Sequence, residues 1–365
     1  MRTTGESAAR RAAWIGAAAV ALLVGTAPQA FAATWVDEPL PPRDTFAELT
    51  AAADGDGTTW AFGGSNGAIP AQNSLAYLRD QQGWREVPVP QVGRIEDAAV
   101  VAADDVWAVG VHPKYGFGAS VHWDGHTWTE VPYAPVADRI GTRSVAAFGP
   151  RDVWIAGHAF DDSAGTGRGV VQRWDGAAWQ DVPVPQRDGN WAFSDIGGTA
   201  PDDLWAVGNG SGFRGQGLAM HWDGTAWTEV PVPEVPLDEY ESVALTQVQA
   251  LAADDVWATG DINDASGGAL VAESLLLHWD GTAWSRVESP QDTGGRGDLV
   301  RTGGELWSLG ERLLHWDGAR WTEELGPPTG VPAAGAELAD GRLLTAGGFG
   351  RYPGMHKPFI SIRQG

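Results

Sequence analysis

The 365-residue chain contains no cysteine. That removes disulfides, thiolate metal sites and cysteine nucleophiles from consideration. Positive charge is scarce too. Lys+Arg number 24 against 47 Asp+Glu, the formal net charge is −23, and the lysines are Lys114 and Lys357 alone. A nucleic-acid binder needs a basic face to displace counterions, so nucleic acid is excluded as a partner. Long apolar runs are missing as well: beyond the first 32 residues no segment approaches the roughly 20 apolar residues of a membrane span. What abounds is glycine, proline and tryptophan, with 50, 23 and 20 residues. At 43% hydrophobic residues, the chain can bury a large core and is not a disordered acidic tail. The glycine and proline load disfavours long helices and favours many short strands joined by turns.

Residues 1–32 read as a secretion signal. Arg2, Arg10 and Arg11 form a positive leader, Trp14 to Val24 is apolar, and Ala30-Phe31-Ala32 fits the small-x-small cleavage pattern. Cleavage there makes Ala33 the first mature residue, leaves no membrane span, and makes the chain extracellular.

Self-comparison organises the rest. Asp104-Asp105-Val106-Trp107-Ala108-Val109-Gly110 recurs around Trp154, Trp205, Trp257 and Trp307, more weakly around Trp60, and without tryptophan at Leu343–Gly347. A second motif, Trp-Asp-Gly-x-x-Trp, starts at Trp123, Trp174, Trp222, Trp279 and Trp316, with a degenerate copy ending at Trp84. The last copy is split. Arg363-Gln364-Gly365 stands where Trp-Asp-Gly is due, and its second half, around Trp35, sits at the other end of the chain. Two alternating motifs, seven copies each, with one unit shared by the termini, predict a closed all-β ring: a seven-bladed β-propeller of four-stranded blades spanning 33–365. Residues 34–42 complete the blade formed by 335–365, which leaves only short, protected sheet edges. In the third blade the strands are expected at Ser144–Phe148, Val153–His158, Val170–Trp174 and Ala178–Val184. The long B–C and D–A connections emerge on one face, where function is expected.

These motifs resemble kelch-type propellers, such as the galactose oxidase central domain, in a degenerate secreted bacterial form with Trp-Asp-Gly repeats. Blade 1 carries the kelch features most fully, with Gly63-Gly64, Tyr77 and Trp84. The resemblance implies the fold and leaves function open, because propellers host lectins, lyases, oxidases and scaffolds alike. Galactose-oxidase copper chemistry is excluded, since its Tyr-Cys cofactor needs a cysteine.

Eighteen tryptophans fall in repeat positions and serve blade packing. Trp14 lies in the signal, and Trp191, followed by Phe193, lies outside the repeat. Trp191 has two readings: it plugs the channel mouth, or it stacks on a ligand. His122, His221, His278 and His315 precede Trp-Asp-Gly and are therefore blade features. His112, His158 and His356 remain as functional candidates. His112 and Tyr115 share the loop His112-Pro113-Lys114-Tyr115, and with His158 and Arg143 they supply the side chains of a lyase-type constellation. Loop aromatics, including Tyr115, Phe117, Phe160, Phe213, Phe349, Tyr352 and Tyr240, offer flat faces for sugar rings. Consecutive blades present the pairs Glu96/Asp97, Arg143/Ser144, Ser194/Asp195 and Thr246/Gln247, and strand alternation puts one of each pair in the central channel. The oxygen-rich segments Asp54–Gly57 and Asp261–Asp264 offer calcium ligands but match no EF-hand loop and read as turns. No other cofactor is indicated.

The expectation that follows is a non-catalytic, lectin-like binding module. Its partner would be a glycan or cell-surface polysaccharide, and it would act alone or with other secreted proteins in an assembly. The ligand-binding residues would be Trp191, Phe193, His112, Tyr115, His158, Phe213 and Tyr240. Two alternatives stand beside it: a polysaccharide lyase or glycoside hydrolase, and an extracellular protein-binding scaffold.

Overall fold

The Asp-Val-Trp-Ala-Val-Gly motif forms the second strand of each repeat. Its hydrophobic residues are covered on both faces, as in Asp105–Val111, where every residue after Asp105 is buried. A strand buried on both sides needs neighbours within its sheet and sheets on either side, and a ring of blades supplies both. The computed structural model describes residues 34–43, 46–65, 73–111, 117–210, 215–266, 271–288, 298–349 and 357–364. Among these lie seven four-stranded antiparallel sheets and no helix. They are the seven blades of a β-propeller, and residues 33–365 form one compact unit.

Blade 3 shows the pattern: Arg139–Gly149, Asp152–Asp161, Thr166–Trp174 and Trp179–Asp181, hydrogen-bonded in that order. Its inner strand begins earlier than the sequence suggests, and its outer strand stops sooner, where Pro183 cannot continue the ladder. The ring closes as expected. Thr34–Asp37 pairs antiparallel with Lys357–Gln364, outside Leu343–Phe349 and Val331–Glu337.

The repeat motifs have specific jobs. In the C–D turns, the Trp-Asp-Gly aspartate accepts the backbone N–H groups two and three residues on, as when Asp124 accepts from His126 (2.9 Å) and Thr127 (2.7 Å). The following glycine takes a left-handed conformation, φ 88° at Gly125, open to glycine at little cost. The tryptophans build triads across blade boundaries. Trp107 of blade 2 packs against Trp174 and Trp179 of blade 3, with ring centroids 4.9 and 5.3 Å apart. Trp205 does the same with Trp279 and Trp284 at 5.0 and 5.1 Å. At the seam the triad is rebuilt: the Arg363 guanidinium lies 4.7 Å over Trp307, and Trp35 packs into the same cluster. The motif histidines are blade features, as their repetition implied. His122 bonds Asp105 at 2.8 Å and stacks on Trp107 at 4.4 Å, and His221 repeats this with Asp203 and Trp205.

The glycine that ends the second-strand motif faces a bulge in the innermost strand. The register slips between Leu49/Ala51, Ile95/Asp97, Thr142/Ser144, Phe193/Asp195, Leu245/Gln247 and Pro332/Ala334. The paired glycines touch the inner-strand backbone so closely that a Cβ on Gly208 would lie 2.0 Å from the Ala192 carbonyl oxygen.

Two outcomes follow. Gly208→Ala is expected to cost about 1–3 kcal/mol or more through overpacking. Gly149→Ala, where a Cβ meets nothing within 4 Å, is expected to stay within about 0.5 kcal/mol; denaturant midpoints of the two variants measure the contrast. Deleting residues 34–42 removes Trp35 and also Glu38, which accepts hydrogen bonds from Arg79 (2.9 Å) and Trp84 (2.7 Å). The shortened chain should aggregate or melt far below the parent, and an unchanged melting temperature would refute terminal sharing.

Candidate functional site

The bulges decide what the channel contains. Simple alternation would send one residue of each polar pair into the channel. The bulge sends both, at two heights. Thr50, Glu96, Arg143, Ser194 and Thr246, the bulged residues, line an upper cavity of about 500 Å³. Asp97, Ser144, Asp195 and Gln247, the residues after the last four of these, join Asp298 of blade 6 in a waist, below which a second cavity of about 460 Å³ opens toward the other face.

The waist is a chain of hydrogen bonds crossing five blades. Ser144 Oγ lies 2.8 Å from Asp97 Oδ2 and 2.5 Å from Asp195 Oδ1. The Gln247 amide nitrogen, turned toward the acids, donates to Asp195 Oδ2 (3.1 Å) and Asp298 Oδ1 (3.2 Å). The acids also staple blades together: Asp97 accepts from Val145 N, Asp195 from Val248 N and Asp298 from Gly335 N, at 2.8, 2.7 and 3.3 Å. One hydroxyl has one proton, yet Ser144 stands between two carboxyl groups. The second proton belongs on Asp97, whose pKa is pushed up to about 7, chiefly by burial and then by the charge of Asp195. Asp195 is raised by burial against its hydrogen bonds, and Asp298 is raised well above its ordinary value by burial and by the charges of Asp97 and Asp195.

The upper cavity is lined differently. Besides the bulged residues it takes His158, Asn209 and Asp261 from the second strands of blades 3, 4 and 5, each four residues after the motif tryptophan, together with Asn263 and Arg94. Blades 1 and 2 have Gly64 and Val111 at that position. Polar groups from both registers therefore gather on one side of the channel. Arg94 is ion-paired to Glu48 (2.9 Å) and Glu96 (2.8 Å). Arg143 is exposed and, among the described residues, has neither ion-pair nor hydrogen-bond partner. Asp261 is 2% exposed, and the buried Asn263 Oδ1 has no hydrogen-bond partner.

The expected binding residues divide. His158 and Phe193 line the upper cavity, and Arg143 joins them there. Phe193, at 1% exposure, is wall rather than platform. Trp191 is 3% exposed, sits edge-on to Phe193 at 5.4 Å and covers Gly169, where a Cβ would fall 2.0 Å from its ring. It borders a separate groove with Gln186 and Arg187, and its buried faces leave none for a sugar to stack on. Tyr240 is exposed but lines neither cavity. His112, Tyr115, Phe213, Tyr352, His356 and the signal segment lie outside the described residues. Asn209 was missed, and Asp261 and Asn263 were singled out only as part of an oxygen-rich turn and not as channel residues. Aligning the repeats at the position four after the tryptophan would have exposed them. Asp54–Gly57 ends a strand and turns, with Asp56 at φ 46°, but Asp261–Asp264 is strand, not turn. Among the described residues no three His, Asp or Glu side chains converge on a point able to hold a metal ion.

No protein-family model matches the chain, and no curated protein matches it. Solved structures do. YCF48 from Cyanidioschyzon merolae aligns with TM-score 0.52 at 12% identity, covering 90% of this chain and 98% of its own. The alpha-L-arabinanase of Penicillium chrysogenum, complexed with arabinobiose, aligns at 0.47 and 13%, covering 91% and 97%. The alpha-L-arabinofuranosidase Arb93A from Fusarium graminearum, in complex with an iminosugar inhibitor, aligns at 0.48 and 12%, with the same coverage. At these identities the likeness speaks for the fold. The lectin-like, non-catalytic reading is corrected nonetheless. Its leading aromatics, Trp191 and Phe193, are core, and the open cavity holds carboxylates, a histidine and an arginine in place of an aromatic platform.

The waist yields a pH test. A carboxyl group with a raised folded pKa binds more protons folded than unfolded, so between about pH 4 and 7 its contribution to stability falls as pH rises. Asp97→Asn removes that slope. Melting curves of the two proteins should diverge in favour of the variant from pH 4 to pH 7, and parallel curves would place the shared proton elsewhere.

Proposed function

We propose that the chain is an exported enzyme that cleaves glycosidic bonds in a polysaccharide, working in the upper cavity. One observation supports this most: Glu96 and Asp261, from blades 2 and 5, line the same cavity of about 500 Å³ as His158 and Arg143. Glycoside cleavage needs two carboxyl groups in one cleft, one giving a proton to the departing oxygen, the other acting as base or nucleophile. Glu96, ion-paired to Arg94 at 2.8 Å, takes the second role. Asp261, enclosed by the second strand of its blade, takes the first. Asn209, Ser194 and Thr246 supply hydrogen-bonding groups for sugar hydroxyls. The cavity size suits a ligand site, and it opens where the copy-specific loops emerge. The kelch resemblance, carried by Gly63, Gly64, Tyr77 and Trp84, belongs to the same reading, as does export directed by residues 1–32.

The test is release of reducing ends from a panel of neutral and acidic polysaccharides by the chain from Ala33 onward. Glu96→Gln and Asp261→Asn should each lower the rate by about 10²–10⁴-fold while melting temperatures stay near the parent value. Absence of cleavage across the panel, or full activity in both variants, overturns the proposal.

A further inference from the structure

We infer that the upper cavity is selective for a sugar that carries a carboxylate, a uronic acid residue, and that Arg143 is the group that reads it. The inference rests on the enzymatic reading for its setting but on different residues for its content. Arg143 occupies the bulge position of blade 3. The same position holds Thr50, Ser194, Thr246 and Ala333 in blades 1, 4, 5 and 7, all uncharged. The blade itself therefore needs no cation there. Glu96 holds the place in blade 2, and its charge is matched by Arg94.

Charge pairing sets Arg143 apart from Arg94, the other arginine of the upper cavity. In a chain of net charge −23, carboxylates are at hand almost everywhere, and Arg43, Arg79, Arg94, Arg139 and Arg187 all have one. Arg143 reaches none, although it stands in a cavity that also contains Glu96 and Asp261. A guanidinium presents two parallel N–H donors that fit a planar carboxylate, which a neutral sugar cannot offer. His158, whose backbone pairs with Gly141 two residues before Arg143, borders the same space. Ser194 and Asn209, from the next blade, stand ready for the hydroxyls of the same ring. The surrounding negative charge limits the recognition to one carboxylate. Further anionic groups would meet Glu96, Asp261 and the acidic exterior, so the site suits an isolated uronate rather than a densely charged polyanion.

The experiment is calorimetric titration of the chain from Ala33 with a glucuronic acid disaccharide, a galacturonic acid disaccharide, the methyl ester of each, and a neutral glucose disaccharide. The parent should bind one or both uronates, with the esters and the neutral sugar weaker by about tenfold or more. Arg143→Gln should remove that preference and leave ester binding unchanged, and Arg143→Lys should restore part of it. Arg301→Gln, changing a residue of the lower cavity, is the charge-matched control and should leave every titration as in the parent. Equal binding of acid and ester by the parent, uronate binding untouched in Arg143→Gln, or no saturable uronate binding at millimolar concentration overturns the inference. Uronate preference without cleavage of any polysaccharide would sink the enzymatic reading and leave this one. Cleavage confined to neutral polysaccharides would do the reverse.

Discussion

A missing Cβ governs the architecture. At the end of the motif strand in five of the seven blades, the inner strand's backbone comes so close that only hydrogen fits, at Gly63, Gly157, Gly208, Gly260 and Gly347. The approach goes with a bulge, and the bulge inserts one residue into an otherwise alternating strand. The bulged residues of the upper tier, and four of the five waist residues, depend on that insertion. In blades 2 to 5 it brings two polar side chains per blade to the axis, one in an upper tier and one in a waist. A side chain at the glycine would push the strands apart and return the inner strand to simple alternation.

The tryptophans solve a separate problem. A ring of blades splays outward, so the gap between neighbours widens with distance from the axis, and large flat rings fill the wedge. The seam shows how far the motif can be rewritten while the wedge stays filled. Arg363 lies over Trp307 as a planar cation where five other blades supply an indole, and Glu324 holds it from the side at 3.1 Å. The positions of Trp35 and Arg363, from opposite ends of the chain, are fixed by one cluster.

Fold and closure were legible because they are written seven times. A motif repeated in register identifies itself, and its broken copy shows where the circle joins. The site was legible only in part, for a physical reason. Channel-facing residues are read from strand alternation, and a bulge leaves no composition signature strong enough to announce that alternation fails. Hence Glu96/Asp97 and Arg143/Ser144 were recognised as pairs, but only one member of each was assigned to the channel. Trp191 misled in the opposite direction. It is outside the repeat, so packing appeared not to need it, yet Gly169 leaves a space that its ring fills. Singularity in sequence marked a local packing solution there, whereas at Arg143 it marks a charge that no neighbouring carboxylate holds.

The waist carries a consequence of parity. Its members alternate between groups that mainly accept and groups that donate: Asp97, Ser144, Asp195, Gln247, Asp298. Such a two-colour pattern can close on itself only around an even number of positions. Seven is odd, so somewhere two like members would have to meet, and in a buried channel that mismatch is costly. The chain ends the pattern instead. Ala334 and Ala51 stand at the corresponding places in blades 7 and 1, and the belt becomes an arc with two free ends. Blade 1 is thereby attached to its neighbours by other means, among them the Glu48–Arg94 ion pair and the hydroxyl of Thr50 on the Ile95 carbonyl. An eight-bladed relative could run the same alternation unbroken, whereas a seven-bladed ring must contain a neutral gap, and here the gap includes the blade where the two ends of the polypeptide meet.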